Sequence, residues 1–119
     1  MKKIINTNAA PAPIGPYNQA VMSGNMVFVS GQIALHPESG ELMNDSIEAE
    51  TEQVMKNLNA ILSEAGLTFD HVVKSTIFIK NMNDFAKINA VYGKYFDSAT
   101  APARETVEVA NLPKFVNVE

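Results

Sequence analysis

Arg104 is the only arginine among nine basic residues of the chain; the other eight are lysines. It stands in "APARETVEV", just past a proline and at the start of an alternating run. A guanidinium offers a planar fork of donors that grips a carboxylate through two parallel bonds, which an ammonium cannot reproduce. Two readings are open: an anion-binding side chain, steadied by the fixed φ of Pro102, and a plain ion pair with Glu105 or Glu108. Three further polar positions interrupt apolar patterns. Asn89 falls within the stripe Phe85, Ile88, Tyr92 and Phe96 of a helix, where a buried amide needs a partner from the protein or from a ligand. Ser30-Gly31 ends the run "MVFVSG"; glycine there admits a close backbone approach to a ligand, or marks a strand-end bulge. Glu119 alternates with Val118 and shares a strand face with Phe115 and Asn117, a place where glutamate is ordinarily solvated.

Other chemistries find little support. The chain has no cysteine, so thiol catalysis and disulfides are excluded. Only His36 and His71 exist, in different loops and without a second ligand at metal spacing. No phosphate loop and no nucleophile elbow occurs. Lys74 in "VVKSTIF" is the one candidate for Schiff-base chemistry, against a reading as an edge lysine with its head in water.

The elements that must position these residues follow from periodicity. A first strand is expected over 3–6, then strands in "YNQAVM" and "MVFVSGQI" joined by "SGN". Asp45, with Glu48 three residues on, is expected to cap a helix whose stripe is Val54, Leu58, Ile61, Leu62 and Ala65, with Gly66 as its stop. "HVVKSTIFIK" reads as a strand, 84–96 as a second helix, and "ETVEV" and "KFVNVE" as two closing strands. The order β-β-β-α-β-α-β-β implies an α+β domain over 1–119: a single mixed sheet with two helices packed on one face. The other face then needs a cover, and self-association is expected to supply it. A length of 119 residues admits one core. The net charge of −4, with no basic run, argues against nucleic acid as partner. Neither a secretory leader nor a membrane-span pattern is read, so a cytoplasmic location is expected.

The segments "PAPIGPYNQAV", "VSGQI", "VVKSTIFIKNMNDFAKINAVYGKYF" and "APARETVEVANLPKFVNVE" resemble the RidA (YjgF-like) family of reactive-imine deaminases, over nearly the whole chain. The resemblance implies a chorismate-mutase-like fold and a homotrimer with a central barrel and a site in each inter-subunit cleft. It implies cofactor-free hydrolysis of 2-imino or enamine acids, such as 2-iminobutanoate and 2-iminopropanoate, to 2-keto acids and ammonia. Residue by residue, Arg104 would hold the substrate carboxylate, Tyr17, Ser30, Gly31 and Asn89 would line the site, and Glu119 would orient or activate water. Thr106 stands where relatives often carry cysteine, a position whose backbone would help orient water or substrate; no thiol can act there. Relatives continue for several residues past the glutamate and complete the last strand; here either that strand is truncated or the sequence is cut short. Rival readings are a non-catalytic trimer that binds small carboxylates or keto acids, a nuclease or translation inhibitor, and a purely structural trimer.

Overall fold

The computed structural model describes residues 1–119. Its elements run in the order β1 (Lys2–Ile5), β2 (Ala20–Ser23), β3 (Met26–Val29), α1 (Ile47–Glu64), β4 (Lys74–Ile79), α2 (Phe85–Tyr92) and β5 (Ala103–Glu108). The α+β class stands, but the expected single sheet is two. Strands β1, β2 and β3 form an antiparallel sheet, and β4 and β5 a separate parallel pair. No ladder joins β3 to β4. A cleft of about 610 Å³ lies between them, lined from α1 by Val54, Leu58 and Leu62.

The chain's last residues enter one end of that cleft. Glu119 and Phe78 exchange both backbone hydrogen bonds, at 2.9 and 3.0 Å, and the Lys80 N–H donates to the Asn117 carbonyl at 2.9 Å. The strand expected in "KFVNVE" is therefore reduced to an isolated bridge between Ile79 and Val118. The cause is local. Pro113 opens a 3₁₀ turn, and Lys114 and Phe115 take φ of 54° and 55°, in the left-handed region that no ladder accommodates.

Helix α1 begins one residue later than its expected cap. Ser46, not Asp45, has the extended backbone of a cap, and its hydroxyl accepts from the Ala49 N–H at 3.0 Å. The helix ends before Gly66, whose φ of 75° suits a residue without a side chain. Helix α2 is shorter than the expected 84–96 because 3₁₀ turns, Met82–Asp84 and Gly93–Tyr95, replace its ends. The Tyr95 hydroxyl donates to Glu52 on α1, and burial followed by that carboxylate pushes the phenol up to about 12.

Helix α1 holds the two sheets together. Its Val54 and Met55 pack with Ile77 and Ile79 of β4, with Ile88 and Tyr92 of α2 and with Val118. Further along, Ile61 packs with Ile5 of β1 and Ala20 of β2. Each such isoleucine contributes roughly 1.5–3 kcal/mol through burial. Both helices lie against the Ile77 and Ile79 face of β4, while Lys74 and Thr76 on the opposite face are exposed. That opposite face carries Val107 at 39% exposure, and Phe28 of β3 in the other sheet is 62% exposed, so the single chain leaves apolar surface uncovered. No helix is long and apolar enough to cross a membrane.

Candidate active site

The β4–β5 register places Arg104 beside Ser75 and Thr106 beside Ile77. Both therefore project from the helix face of the parallel pair. There the Arg104 Nη1 donates to Asn89 Oδ1 at 2.6 Å. Its Cζ lies 5.0 Å from the centre of the Tyr92 ring and 5.6 Å from that of Phe85. The two rings attract the guanidinium through their faces and hold its plane, and the Tyr92 hydroxyl is itself tied to Ser75 Oγ at 2.6 Å.

The ion-pair reading of Arg104 does not stand. Glu105 pairs instead with Lys74, at 3.9 Å between two largely exposed side chains. Glu108 accepts from the Met82 N–H at 2.7 Å. The guanidinium meets no carboxylate of its own chain, and four of its five donors remain beyond the Asn89 bond. Two residues on, Thr106 Oγ1 is buried without a hydrogen-bond partner, a situation that costs roughly 1–3 kcal/mol. Asn89 is exposed rather than buried in the apolar stripe. The inward positions of this short helix are Ile88, Val91 and Tyr92, and Asn89 sits on its flank, where its amide oxygen meets the arginine.

A second cluster forms where the C-terminal residues meet the end of β3. Gly31 faces the end of the Glu119 side chain, so that a Cβ there would meet the carboxylate and lie 2.9 Å from its Cδ until that side chain turned away. Glycine here leaves space for the Glu119 carboxylate where it stands and is not called for by backbone freedom. Burial holds the Glu119 carboxyl above its ordinary range. Ser30 is occupied structurally: its hydroxyl donates to the Asn18 carbonyl at 2.6 Å and its N–H to Gln19 at 2.9 Å. Tyr17 stands apart on the connector, 49% exposed, with its hydroxyl accepting from the Ile14 N–H at 3.2 Å.

The structure thus makes two groups, Arg104 with Asn89 and Thr106, and Glu119 with Ser30 and Gly31. They project from opposite faces. Glu119 shares its face with its hydrogen-bonded partner Phe78, whereas Arg104 and Thr106 share theirs with Ser75 and Ile77. Lys74 is solvated and paired, and the histidines serve turns: His36 Nδ1 accepts from Glu38 and Ser39, and His71 Nδ1 from Thr68.

Sequence reasoning missed the buried polar residues that hold these segments. Gln19 bonds the connector at Thr7, Ala10 and Pro11. Glu50 and Asn57 of α1 bond the segments that carry Glu119 and that follow Gly31. The sequence carries a signal for them: 50, 54, 57 and 61 are spaced as one helix face, and the apolar stripe of Val54 and Ile61 includes Glu50 and Asn57.

Comparison with known proteins agrees across the chain. The family model described as Endoribonuclease L-PSP matches residues 7–119. A RutC family protein of Synechocystis is 56% identical over 98% of this chain and 91% of its own length. The chloroplastic Reactive Intermediate Deaminase A of Arabidopsis thaliana is 44% identical over 99% of this chain and 63% of its own. Among solved structures, E. coli TdcF with bound serine superposes with a TM-score of 0.91, at 45% identity over 98% of this chain and 92% of that one. The E. coli YjgF gene product gives 0.90, at 47% identity over the same shares. A match of this extent, running through the arginine entrance to the final glutamate, places the chain in the RidA (YjgF-like) family.

Proposed function

We propose that the chain hydrolyses 2-imino acids, with 2-iminobutanoate and 2-iminopropanoate as the type substrates, in clefts between the subunits of a homotrimer whose uncovered sheet faces form a central barrel. The observation that carries this reading is the Arg104 guanidinium, fixed by Asn89 and two aromatic rings and free of any carboxylate of its own chain. A substrate carboxylate satisfies that fork, and it or the attacking water satisfies the unpartnered Thr106 hydroxyl.

The chemistry asks little more. A protonated imine is electrophilic enough for water to add. Glu119 takes a proton from water as the new C–O bond forms and the C=N electrons move to nitrogen. Glu119 then returns that proton to the amine; as the C–N bond breaks with its electrons leaving on ammonia, an oxygen lone pair forms the C=O bond, the hydroxyl proton passes to the Glu119 carboxylate and on to ammonia, and a 2-keto acid remains. The raised carboxyl of Glu119 suits a group that both accepts and returns a proton. Tyr17 and Ser30-Gly31 complete the wall of the cleft. Because Arg104 and Glu119 project from opposite faces of one chain, the complete site takes them from neighbouring copies.

A dehydratase-coupled assay tests the reading: keto-acid release from dehydratase-generated imine accelerates when the protein is added. A protein that binds keto acid at Arg104 without accelerating release is instead the non-catalytic carboxylate binder, a reading favoured by the description of bound serine in the E. coli relative.

A further inference from the structure

Three buried polar residues lie on helix α1, Glu50, Thr51 and Asn57; the Thr51 hydroxyl bonds within the helix to the Ile47 carbonyl, while Glu50 and Asn57 stand seven residues apart and so are aligned two turns along it. Glu50 is fully buried and Asn57 is 1% exposed. Neither meets a cation. Glu50 Oε2 accepts from the backbone N–H groups of Asn117 at 2.8 Å and Val118 at 3.2 Å, and its Oε1 accepts from the Asn117 side chain at 2.8 Å. Asn57 Nδ2 donates to the carbonyls of Ile33 at 3.1 Å and Leu35 at 3.0 Å, while its Oδ1 accepts from Gln53 at 2.9 Å.

The segments so held are irregular. Residues 113–119 make a 3₁₀ turn and one bridge, and residues 30–34 belong to no ladder. Backbone bonds tie Glu119 to β4, Asn117 to Lys80 just beyond it and Ser30 to Gln19, and Glu50 and Asn57 tie the same segments to the helix below. These segments bring Glu119 against Gly31, close enough that a Cβ on Gly31 would lie 2.9 Å from the Glu119 Cδ. A carboxylate buried without a cation is a costly way to secure a loop when an apolar residue would pack, which points to a demand for placement.

We propose that Glu50 and Asn57 are positioning residues that set the Glu119 carboxylate against Gly31 from beneath, through the backbone on either side of the contact. The inference rests on the role given to Glu119 above and extends it to residues that touch no substrate.

The test uses the full chain with Glu50→Ala, Glu50→Gln, Asn57→Ala and, as reference, Glu119→Gln. Glu50→Ala and Asn57→Ala are expected to lower kcat tenfold or more, with KM and 2-ketobutanoate affinity within twofold, because Arg104 is untouched. Glu50→Gln keeps an acceptor for the two N–H groups, and Asn117 can turn its amide to match, so kcat is expected to return to within threefold. In Glu50→Ala the acid limb of the kcat profile moves down in pH, as a loosened Glu119 becomes better hydrated. The proposal is overturned if both alanine variants keep kcat within twofold, or if kcat and analogue affinity fall in step. Should Glu50→Ala not fold, Asn57→Ala and Asn117→Ala decide by the same criteria. If Glu119→Gln itself retains kcat, the site reading fails; if it is inactive while Asn57→Ala and Glu50→Ala are normal, only the positioning role fails.

Discussion

Arg104→Lys isolates what the guanidinium adds beyond its charge. Lysine at 104 keeps a cation on the helix face of β5 but contacts a carboxylate at one point. It loses the second arm of the fork, a charge-assisted bond of roughly 1.5–3 kcal/mol. It also loses part of the attraction to Tyr92 and Phe85, roughly 0.5–1 kcal/mol at a half-exposed site. Together these come to about 2–4 kcal/mol, a fall of roughly 30- to 1000-fold in kcat/KM. Folding should be nearly indifferent, because the side chain is partly exposed and makes one hydrogen bond within the chain, with a thermal midpoint shift of no more than about 5 °C. The assay is dehydratase-coupled release of 2-ketobutanoate, run beside thermal unfolding and sedimentation to show that assembly is intact. A kcat/KM within threefold of the wild type would refute the anchoring argument, since no bidentate contact is lost so cheaply.

Two further outcomes follow from the second cluster. Gly31→Ala places a Cβ against the end of the Glu119 side chain, which is flexible and can turn away; kcat is expected to fall roughly tenfold while stability changes by less than about 1 kcal/mol, measured by kinetics and urea unfolding. The raised Glu119 carboxyl gives a pH signature in both activity and stability. Water activation needs the deprotonated form, so kcat should decline with falling pH above the ordinary glutamate range. For folding the sign is opposite: a raised acid favours the fold below its unfolded value, and that contribution is lost as pH rises through the folded value. Glu119→Gln should therefore abolish turnover and flatten this part of the stability profile, read by pH-dependent unfolding.

The sequence made the elements legible where spacing alone decides them. The α1 stripe of Val54, Ile61 and Leu62 lies buried as its period requires, and the alternation of β4 puts Ile77 and Ile79 inward. It was less informative where chain geometry intervenes. "KFVNVE" alternates like a strand, but Pro113 and two left-handed residues spend its first half on a turn. The spacing of Phe85, Ile88, Tyr92 and Phe96 puts Asn89 within a helical stripe out to Phe96; the two-turn helix α2 buries a narrower stripe, and Asn89 falls outside it. Arg104 was conspicuous by composition, and its isolation from carboxylates needed coordinates to establish. Glu50 and Asn57 act through backbone groups distant in sequence, and no local pattern encodes those partners.

The placement of Arg104 and Glu119 on opposite faces carries a consequence for assembly. If one chain supplied both, a substrate would have to reach around β4, whose Phe78 pairs with Glu119 while its Ser75 flanks Arg104. A cleft that takes the arginine from one copy and the glutamate from its neighbour avoids this. The two arrangements differ in a mixing experiment. Arg104→Ala and Glu119→Gln proteins, each inactive alone, are unfolded together in equal amounts and refolded. If each cleft draws on two copies, random assembly of a cyclic oligomer leaves about one quarter of clefts with both side chains intact. Activity near a quarter of the wild type, absent when the two proteins are refolded separately, is the expected result. Refolded mixtures that assemble normally and remain inactive would mean that both groups come from one chain, and the argument from opposite faces would be wrong.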